Sequence, residues 1–438
     1  MTGHEAWRLD KPAVSAHGGL VASQHYRASA IGAEVLAAGG NAVDAAVTTS
    51  FALGVLEPWM SGLGGGGLMR GHEAATRRTW GVDANMVAPQ ALDPADYPLT
   101  GGRAGDLFGW PAVKEDRNLR GHASMAVPGL VAGLALALER FGSWRWSDCL
   151  GPSIELAARG LEVDWYATLK IAAAARHLAR YPESRRIYLP GGFPPAAEWG
   201  GPPPVIRLGR LGSTLERLAY AGPGDFYTGE LSRELLADLQ ENGSALGPDD
   251  LAGYRAVLGA AGQQAYRDAW VHYAPGLSAG PSLARSLELL QQHPPEPWPG
   301  PDTYQGYATV LRQAYAERLT AMGDGEPDSC TTHIGVVDRH GNLVALTQTL
   351  LSVFGSKAVL PRTGVLMNNG IMWFDPRPGR PNSIAAGRRP LANMCPALVQ
   401  RGDGLRAALG ASGGRRILPA VLQLVSFLVD HRMDLDQA

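Results

Sequence analysis

The chemistry in this 438-residue chain is concentrated where two hydroxyls and an imidazole follow one another, at Thr331, Thr332 and His333. They open a stretch, Ser329 to Gly355, in which two apolar, β-branched runs flank Asp338-Arg339-His340-Gly341-Asn342. Short strand-like runs around a Gly/Asn turn predict a hairpin. Folded about residue 340, it sets Val337 against Leu343 and, in the same register, Thr331 against Thr349. A threonine hydroxyl is a weak nucleophile at neutral pH and needs an adjacent base. The α-amine of a chain that begins with threonine can supply one. By themselves, Thr331 and Thr349 equally fit a buried hairpin whose hydroxyls bond only to their surroundings.

A second constellation lies further along. Leu405 to Leu409 reads as a strand, Gly410-Ala411-Ser412-Gly413-Gly414 as a turn, and Arg415 to Arg432 as a helix. Consecutive glycines before a helix leave backbone N–H groups free, a natural anion site. Acyl transfer needs such donors, aimed at the oxyanion of its tetrahedral intermediate. The same segment contains Gly410-x-Ser412-x-Gly414, the nucleophile-elbow pattern of serine α/β-hydrolases. That fold needs an acid and then a histidine downstream. The single histidine after Gly414, His431, has only Asp430 before it, and both fall in the predicted helix. Gly62, Gly64 and Gly67 satisfy G-x-G-x-x-G, but a helix precedes them and no amphipathic helix opens after them. A dinucleotide site lacks its context there; a close approach of backbone is the better reading.

Other motifs accompany TTHIGVVDRHGN: EPWMSGLGGGG (Glu57 to Gly67), GDFYTG (Gly224 to Gly229), NNG (Asn368 to Gly370), RRPLANMCP (Arg388 to Pro396) and GASGGRRI (Gly410 to Ile417). In these motifs and their order, over nearly its whole length, the chain resembles the gamma-glutamyltransferase family, a branch of the N-terminal nucleophile hydrolases. The resemblance implies an α+β fold, the four-layer αββα sandwich. It also implies self-cleavage, in which the Thr331 hydroxyl attacks the Cys330 carbonyl and water frees the resulting ester. Residues 1–330 and 331–438 would then be two pieces of one domain, the second beginning at its nucleophile. Thr349 matches the threonine that hydrogen-bonds the nucleophile, and Gly413 and Gly414 match the oxyanion-hole glycines. The implied partners are a small-molecule amide, water or an amine as acceptor, and the chain's own two pieces. No cofactor is implied. His333 is expected to position its neighbours, the freed amine being the base.

Several positions that match the family's glutamyl pocket depart from its pattern. Asn85 stands where the family has an arginine, and Leu351 where it has an asparagine. Asn369 and Gly370 are followed by the apolar Ile371-Met372-Trp373-Phe374, with an acid only at Asp375; Ala392 and Asn393 replace a serine pair. Losing the arginine and its acidic counterpart removes the two charge-assisted contacts that an amino-acid head group requires. A buried zwitterion without partners costs several kcal/mol. The pocket is therefore expected to be less charged and more aromatic, similar to those of cephalosporin acylases and oxamate amidohydrolases. Arg362, Arg388 and Arg389 are candidates to hold a simple carboxylate. Authentic glutathione hydrolysis or γ-glutamyl transfer is the alternative within the family. A member without catalysis, serving as an interaction or structural protein, is the alternative of another class. The stretch from Thr331 onward is shorter than the family's, so a sheet truncated at its C-terminal end, with unpaired central strands, is expected.

The elements that must position these residues can be read from the rest. With 45% hydrophobic and 18% charged residues, the chain has ample material for a core and no disordered tract. A net charge of −2 gives no electrostatic case for nucleic acid or an anionic membrane. No apolar leader and no membrane-length run are visible, so a cytoplasmic location is expected. Three scattered cysteines predict neither disulfides nor a zinc site, and the histidines show no ligand spacing, so no metal is expected. Ala28 to Val55 reads as helix broken at Gly39-Gly40-Asn41, with Asn41 capping the second part. Leu68 to Asn85 reads as paired strands, Ala126 to Phe141 as a helix with Pro128 in its first turn, and Ile154 to Arg180 as two helices. Pro190 to Pro204 is irregular. Glu230 to Asn242, Leu283 to Gln292 and Tyr304 to Met322 are helical, and Tyr266 to Tyr273 is a strand.

Overall fold

A computed structural model describes residues 12–104, 109–322 and 330–438. The loop before the candidate nucleophile, Gly323 to Asp328, lies outside the described residues. Helix α1 (Tyr26–Ala37) leads into α2 (Ala42–Leu56), and every residue of α2 except Gly54 is buried. A helix apolar all round belongs in a core. Asn41 starts it as expected: its side chain accepts from the N–H groups of Val43 and Asp44, while Asp44 reaches back to the Asn41 N–H.

Two large antiparallel sheets follow, apart from two small two-stranded ones. The strands are β1 (Gly19–Ala22), β2 (Gly66–Glu73), β3 (Arg78–Ala84), β4 (Val257–Ala260), β5 (Gly262–Tyr266), β6 (Ala269–Tyr273), β7 (Cys330–Asp338), β8 (Leu343–Leu351), β9 (Ala397–Arg401) and β10 (Arg406–Leu409). Among the described residues the first sheet runs β1-β7-β8-β2-β3-β4 and the second β10-β9-β6-β5. Side chains alternate across each strand. Ile334 and Val336 of β7, with Val344 and Leu346 of β8, therefore join the core that α1, α2 and α3 (Leu130–Phe141) cover. Val337, Leu343 and Ala345 point the other way and meet Leu398 and Ala408 of the second sheet. The outer face of that sheet packs against α6 (Gly280–Leu290), α7 (Pro301–Met322) and α8 (Ile417–Val429), numbered after α4 (Trp146–Arg159) and α5 (Trp165–Leu178). The result is the αββα sandwich.

The β7–β8 turn is anchored to α2. The buried Asp338 carboxylate accepts from the N–H groups of His340 and Asn342, and from the Ala42 N–H at the start of α2. A carboxylate there also meets the positive end of the helix dipole.

Some expectations need correction. Helix α3 begins at Leu130, beyond Pro128, because Val127 pairs with Val87 instead. The helix pair starts earlier, at Trp146. Tyr266 to Tyr273 is not one strand: Tyr266 ends β5, the chain reverses at Arg267 with φ 54°, and β6 begins at Ala269. The last helix is shorter than the predicted one at both ends, Ile417–Val429. The central strands are not left unpaired: β7 and β8 each have neighbours on both sides. No described helix is long and apolar enough to cross a membrane.

Candidate active site

The hairpin keeps the expected register from Val337↔Leu343 to Thr332↔Gln348, and then slips. Cys330 pairs with Leu351, so Thr331 alone faces two residues, Thr349 and Leu350. Such a bulge bends its strand and re-aims a side chain, and bulges cluster beside active sites. Thr331 is 1% exposed, and its Oγ1 has no hydrogen-bond partner among the described residues. The fully buried Thr349 accepts the Leu351 N–H on its Oγ1 at 2.8 Å. Leu351 has φ 88°, a left-handed conformation that strains a residue with a Cβ. The glycine passage lies against this end of the hairpin. A Cβ on Gly65 would stand 2.4 Å from the Thr349 carbonyl oxygen, and one on Gly64 2.3 Å from that of Leu366. A strand, β2, follows these glycines, so they serve close approach and not a dinucleotide.

The second glycine turn lies over the start of β7. A Cβ on Gly410 would fall 2.1 Å from His333 Nδ1. Gln24, just past β1, donates to the Ser412 hydroxyl. Gly413 and Gly414 are both left-handed, with φ 116° and 60°. Their N–H groups have no acceptor among the described residues. The serine-hydrolase reading finds no support here. His431 bonds the Glu296 carbonyl at the far end of α8, and Asp430 is taken up by Tyr266, Ser426 and Arg267. His333 shares its Nδ1 with Thr347 Oγ1 at 2.9 Å, and its Nε2 is buried without a partner. Burial pushes its pKa down to about 4, which keeps the ring neutral.

On the helix side of β7 lies a residue that motif reading passes over. Glu57 closes the C-terminal end of α2 and is 3% exposed. Burial pushes its carboxyl up to about 7, against the pull of Lys170 and of the adjacent Thr332 hydroxyl, while Asp164 adds to the rise. Glu57 Oε2, Thr332 Oγ1 and Trp59 Nε1 are all buried without a closed hydrogen bond. Nearby, Gln348 is held by Ser50 and Ser61. An acid directly before a proline, after the apolar last turns of a buried helix, is the signal that could have marked Glu57.

The pocket candidates divide sharply. Leu351, Trp373 and Ala392 belong to one apolar cluster with Met86, Trp110 and Phe374. The Trp373 indole N–H is buried without a partner. The Asn393 amide has no hydrogen bond among the described residues. Others are already engaged. Asn369 donates to the Leu119 carbonyl and Ser352 Oγ and accepts from the Ser352 N–H; the Gly370 N–H goes to Asn368. The Asn85 amide bonds the Pro390 carbonyl and the Met86 N–H. The fully buried Asp375 carboxylate is gripped by the Arg377 guanidinium through both oxygens. Arg362 is paired with Asp238 and Glu241, and Arg389 with Asp83, while Arg388 has no ion pair among the described residues. Sequence reading also missed two buried cations: Lys357, donating to Ser352 Oγ and the Gly355 carbonyl, and Arg318, donating to the Ala392 carbonyl.

The gamma-glutamyltranspeptidase family profile matches residues 28–329 and 320–438. The acylase ACY 1 proenzyme of Pseudomonas sp. strain SE83 is 33% identical over 98% of this chain and 82% of that protein. This chain belongs to the gamma-glutamyltranspeptidase family. Within that family it is also similar to the glutathione hydrolase proenzyme of Escherichia coli K12, at 30% identity over 97% of this chain and 80% of that protein. Among solved structures, the cephalosporin acylase of Bacillus halodurans superposes with a TM-score of 0.84 at 23% identity, covering 99% of this chain and 85% of that one. The gamma-glutamyltranspeptidase of Helicobacter pylori gives 0.64 at 27% identity, with 72% and 86% covered. Gamma-glutamyltranspeptidases are N-terminal nucleophile enzymes, processed into two subunits and acting on small amides. The chain is thus an amidohydrolase or acyltransferase of that type.

Proposed function

We propose that Thr331 is the nucleophile of a self-cleaving amidohydrolase whose acyl pocket does not take a glutamyl head group. The observation that carries the first half is the bulge. It leaves a buried hydroxyl, unpartnered among the described residues, facing Thr349, and the turn that carries the left-handed Gly413 and Gly414 reaches the same strand two residues on, where Gly410 lies against His333. Attack by Thr331 on Cys330 breaks the peptide bond as the ester forms, which frees the α-amine as the base for later turnovers, and water then splits the ester to free the hydroxyl. Gly413 and Gly414 stabilise the oxyanion. The acyl-enzyme then passes to water or to an amine. The cytoplasmic location remains a proposal from the sequence, tested by cell fractionation.

The second half is supported by the apolar cluster around Leu351, Trp373 and Ala392, and by Asp375, whose carboxylate is occupied by Arg377. Neither offers charge to an α-ammonium or its carboxylate. The test sets γ-glutamyl-p-nitroanilide beside p-nitroanilides of simple acids without an amino group. The simple acyl compounds are expected to turn over faster, by about tenfold or more in kcat/KM, as the loss of one charge-assisted contact implies. Preferred turnover of the glutamyl compound would reject the pocket reading and leave glutathione hydrolysis, the activity named for relatives such as the Escherichia coli protein. Activity surviving Thr331→Ala would reject the nucleophile.

A further inference from the structure

Thr331 sits in a bulge, so the first side chain of β7 that the regular ladder fixes is that of Thr332. That residue is fully buried and on the helix-facing side of the sheet, in line with Ile334 and Val336. The Glu57 carboxyl lies beside its hydroxyl, and Gln348 is its partner across the ladder. Glu57 stands on a rigid frame. Its N–H bonds the Leu53 carbonyl, its carbonyl takes the Met60 N–H, and the Met60 and Trp59 carbonyls accept from Leu350 of β8 and from Phe354 in the turn beyond it. A carboxyl this well fixed, with one oxygen lacking a closed bond, is costly to bury for packing alone.

We propose that Glu57 is a positioning residue for self-cleavage: its ionised carboxylate takes the Thr332 hydroxyl proton in a hydrogen bond and so holds the peptide next to Thr331 in its reactive geometry. The proposal rests on the reading of Thr331 as nucleophile. In the step it supports, Thr331 Oγ adds to the Cys330 carbonyl carbon. The Cys330–Thr331 C–N bond breaks, with the hydroxyl proton ending on the released nitrogen. Water then splits the ester into a carboxyl at Cys330 and a free hydroxyl at Thr331. Glu57 exchanges no proton with the reacting atoms; it acts through Thr332. A charged acceptor holds a hydroxyl about twice as firmly as a neutral one, so the hold strengthens as Glu57 ionises. The charged groups facing it are Lys170 on α5 and Asp164 at the α5 N-cap. The uncleaved chain has no free amine at Thr331, so that amine cannot contribute to the pH dependence of this step.

The experiment follows newly translated full-length chain by intact mass, from about pH 5.5 to pH 8.5. In the native chain the rate of appearance of the two pieces is expected to rise through a midpoint near pH 7, where Glu57 titrates. Glu57→Gln and Thr332→Val are expected to flatten that rise and to cleave about tenfold more slowly at the alkaline end. Thr332→Ser keeps the hydroxyl and is expected to keep the native profile. A Glu57→Gln chain that retains the native inflection, whether at full rate or uniformly slowed, overturns the proposal. Cleavage in Thr331→Ala, or none in the native chain, overturns the nucleophile reading instead.

Discussion

Glu57 and His333 lie on opposite faces of β7, and burial shifts them in opposite senses. Glu57 rises from 4.5 to about 7, so the folded state holds a proton that the unfolded chain has released. Its stabilising contribution is full below pH 4.5 and is lost as pH rises through 7. His333 falls from 6.5 to about 4, so its contribution is full above pH 6.5 and is lost as pH falls through 4. Shifts of this size correspond to at most about 3 kcal/mol each. Glu57→Gln keeps the shape and removes the ionisation. It is expected to raise stability at pH 8 by about 1–3 kcal/mol and to leave it nearly unchanged at pH 4. Urea midpoints at the two pH values measure this, and an equal shift at both would mean that the carboxyl is not buried as described. Greater stability combined with slower self-cleavage would be a trade of stability for function at one residue.

At the scale of elements, what holds the site together is a contact that only glycine permits. Gly410 carries no left-handed strain, yet a methyl there would lie 2.1 Å from His333 Nδ1 and 2.2 Å from Cε1. Gly410→Ala must push the ring or lift the turn bearing Gly413 and Gly414, at about 1–3 kcal/mol. His333→Ala in the same chain is expected to recover much of that loss, because it removes the atoms in conflict; strictly additive losses in urea unfolding would show that the two are not in contact. Much of this scaffold was legible in advance. The β7–β8 hairpin announces itself by apolar runs around Gly341, and Asn41 by its place before AVDAAV. The bulge at Thr331 was not legible, because Thr349 and Leu350 are both ordinary strand residues and one extra leaves no mark. The β5–β6 turn escaped because Arg267 and Asp268 are neither glycine nor proline. That Trp373 and Ala392 would join a buried apolar cluster could be read from residue type alone. Asp375 could not be read as engaged, because its grip by Arg377 is a matter of orientation. The behaviour of Glu57 depends first on its burial by the folded chain and then on Lys170, Thr332 and Asp164, each more than a hundred residues away.

Over the whole molecule, the proposed cut divides the chain but not the fold. In the first sheet β7 lies between β1 and β8, and β8 lies between β7 and β2. In the second, β9 pairs with β6, so both sheets draw strands from each side of Cys330–Thr331. Ile334, Val336, Val344 and Leu346 share one core with α2, each no more than 2% exposed. Pulling the pieces apart would open three strand ladders and expose those side chains, at roughly 1.5–3 kcal/mol for each large one. Cleaved protein is therefore expected to elute as one species in gel filtration, to give two bands on a denaturing gel, and to unfold in urea in one cooperative transition. Residues 331–438 made alone are expected to show no such transition, since β7, β8 and β9 would each lack a partner strand. Two species separating from native cleaved protein, or a cooperative fold in the isolated second piece, would mean that the interleaved sheets do not bind the pieces as this topology requires.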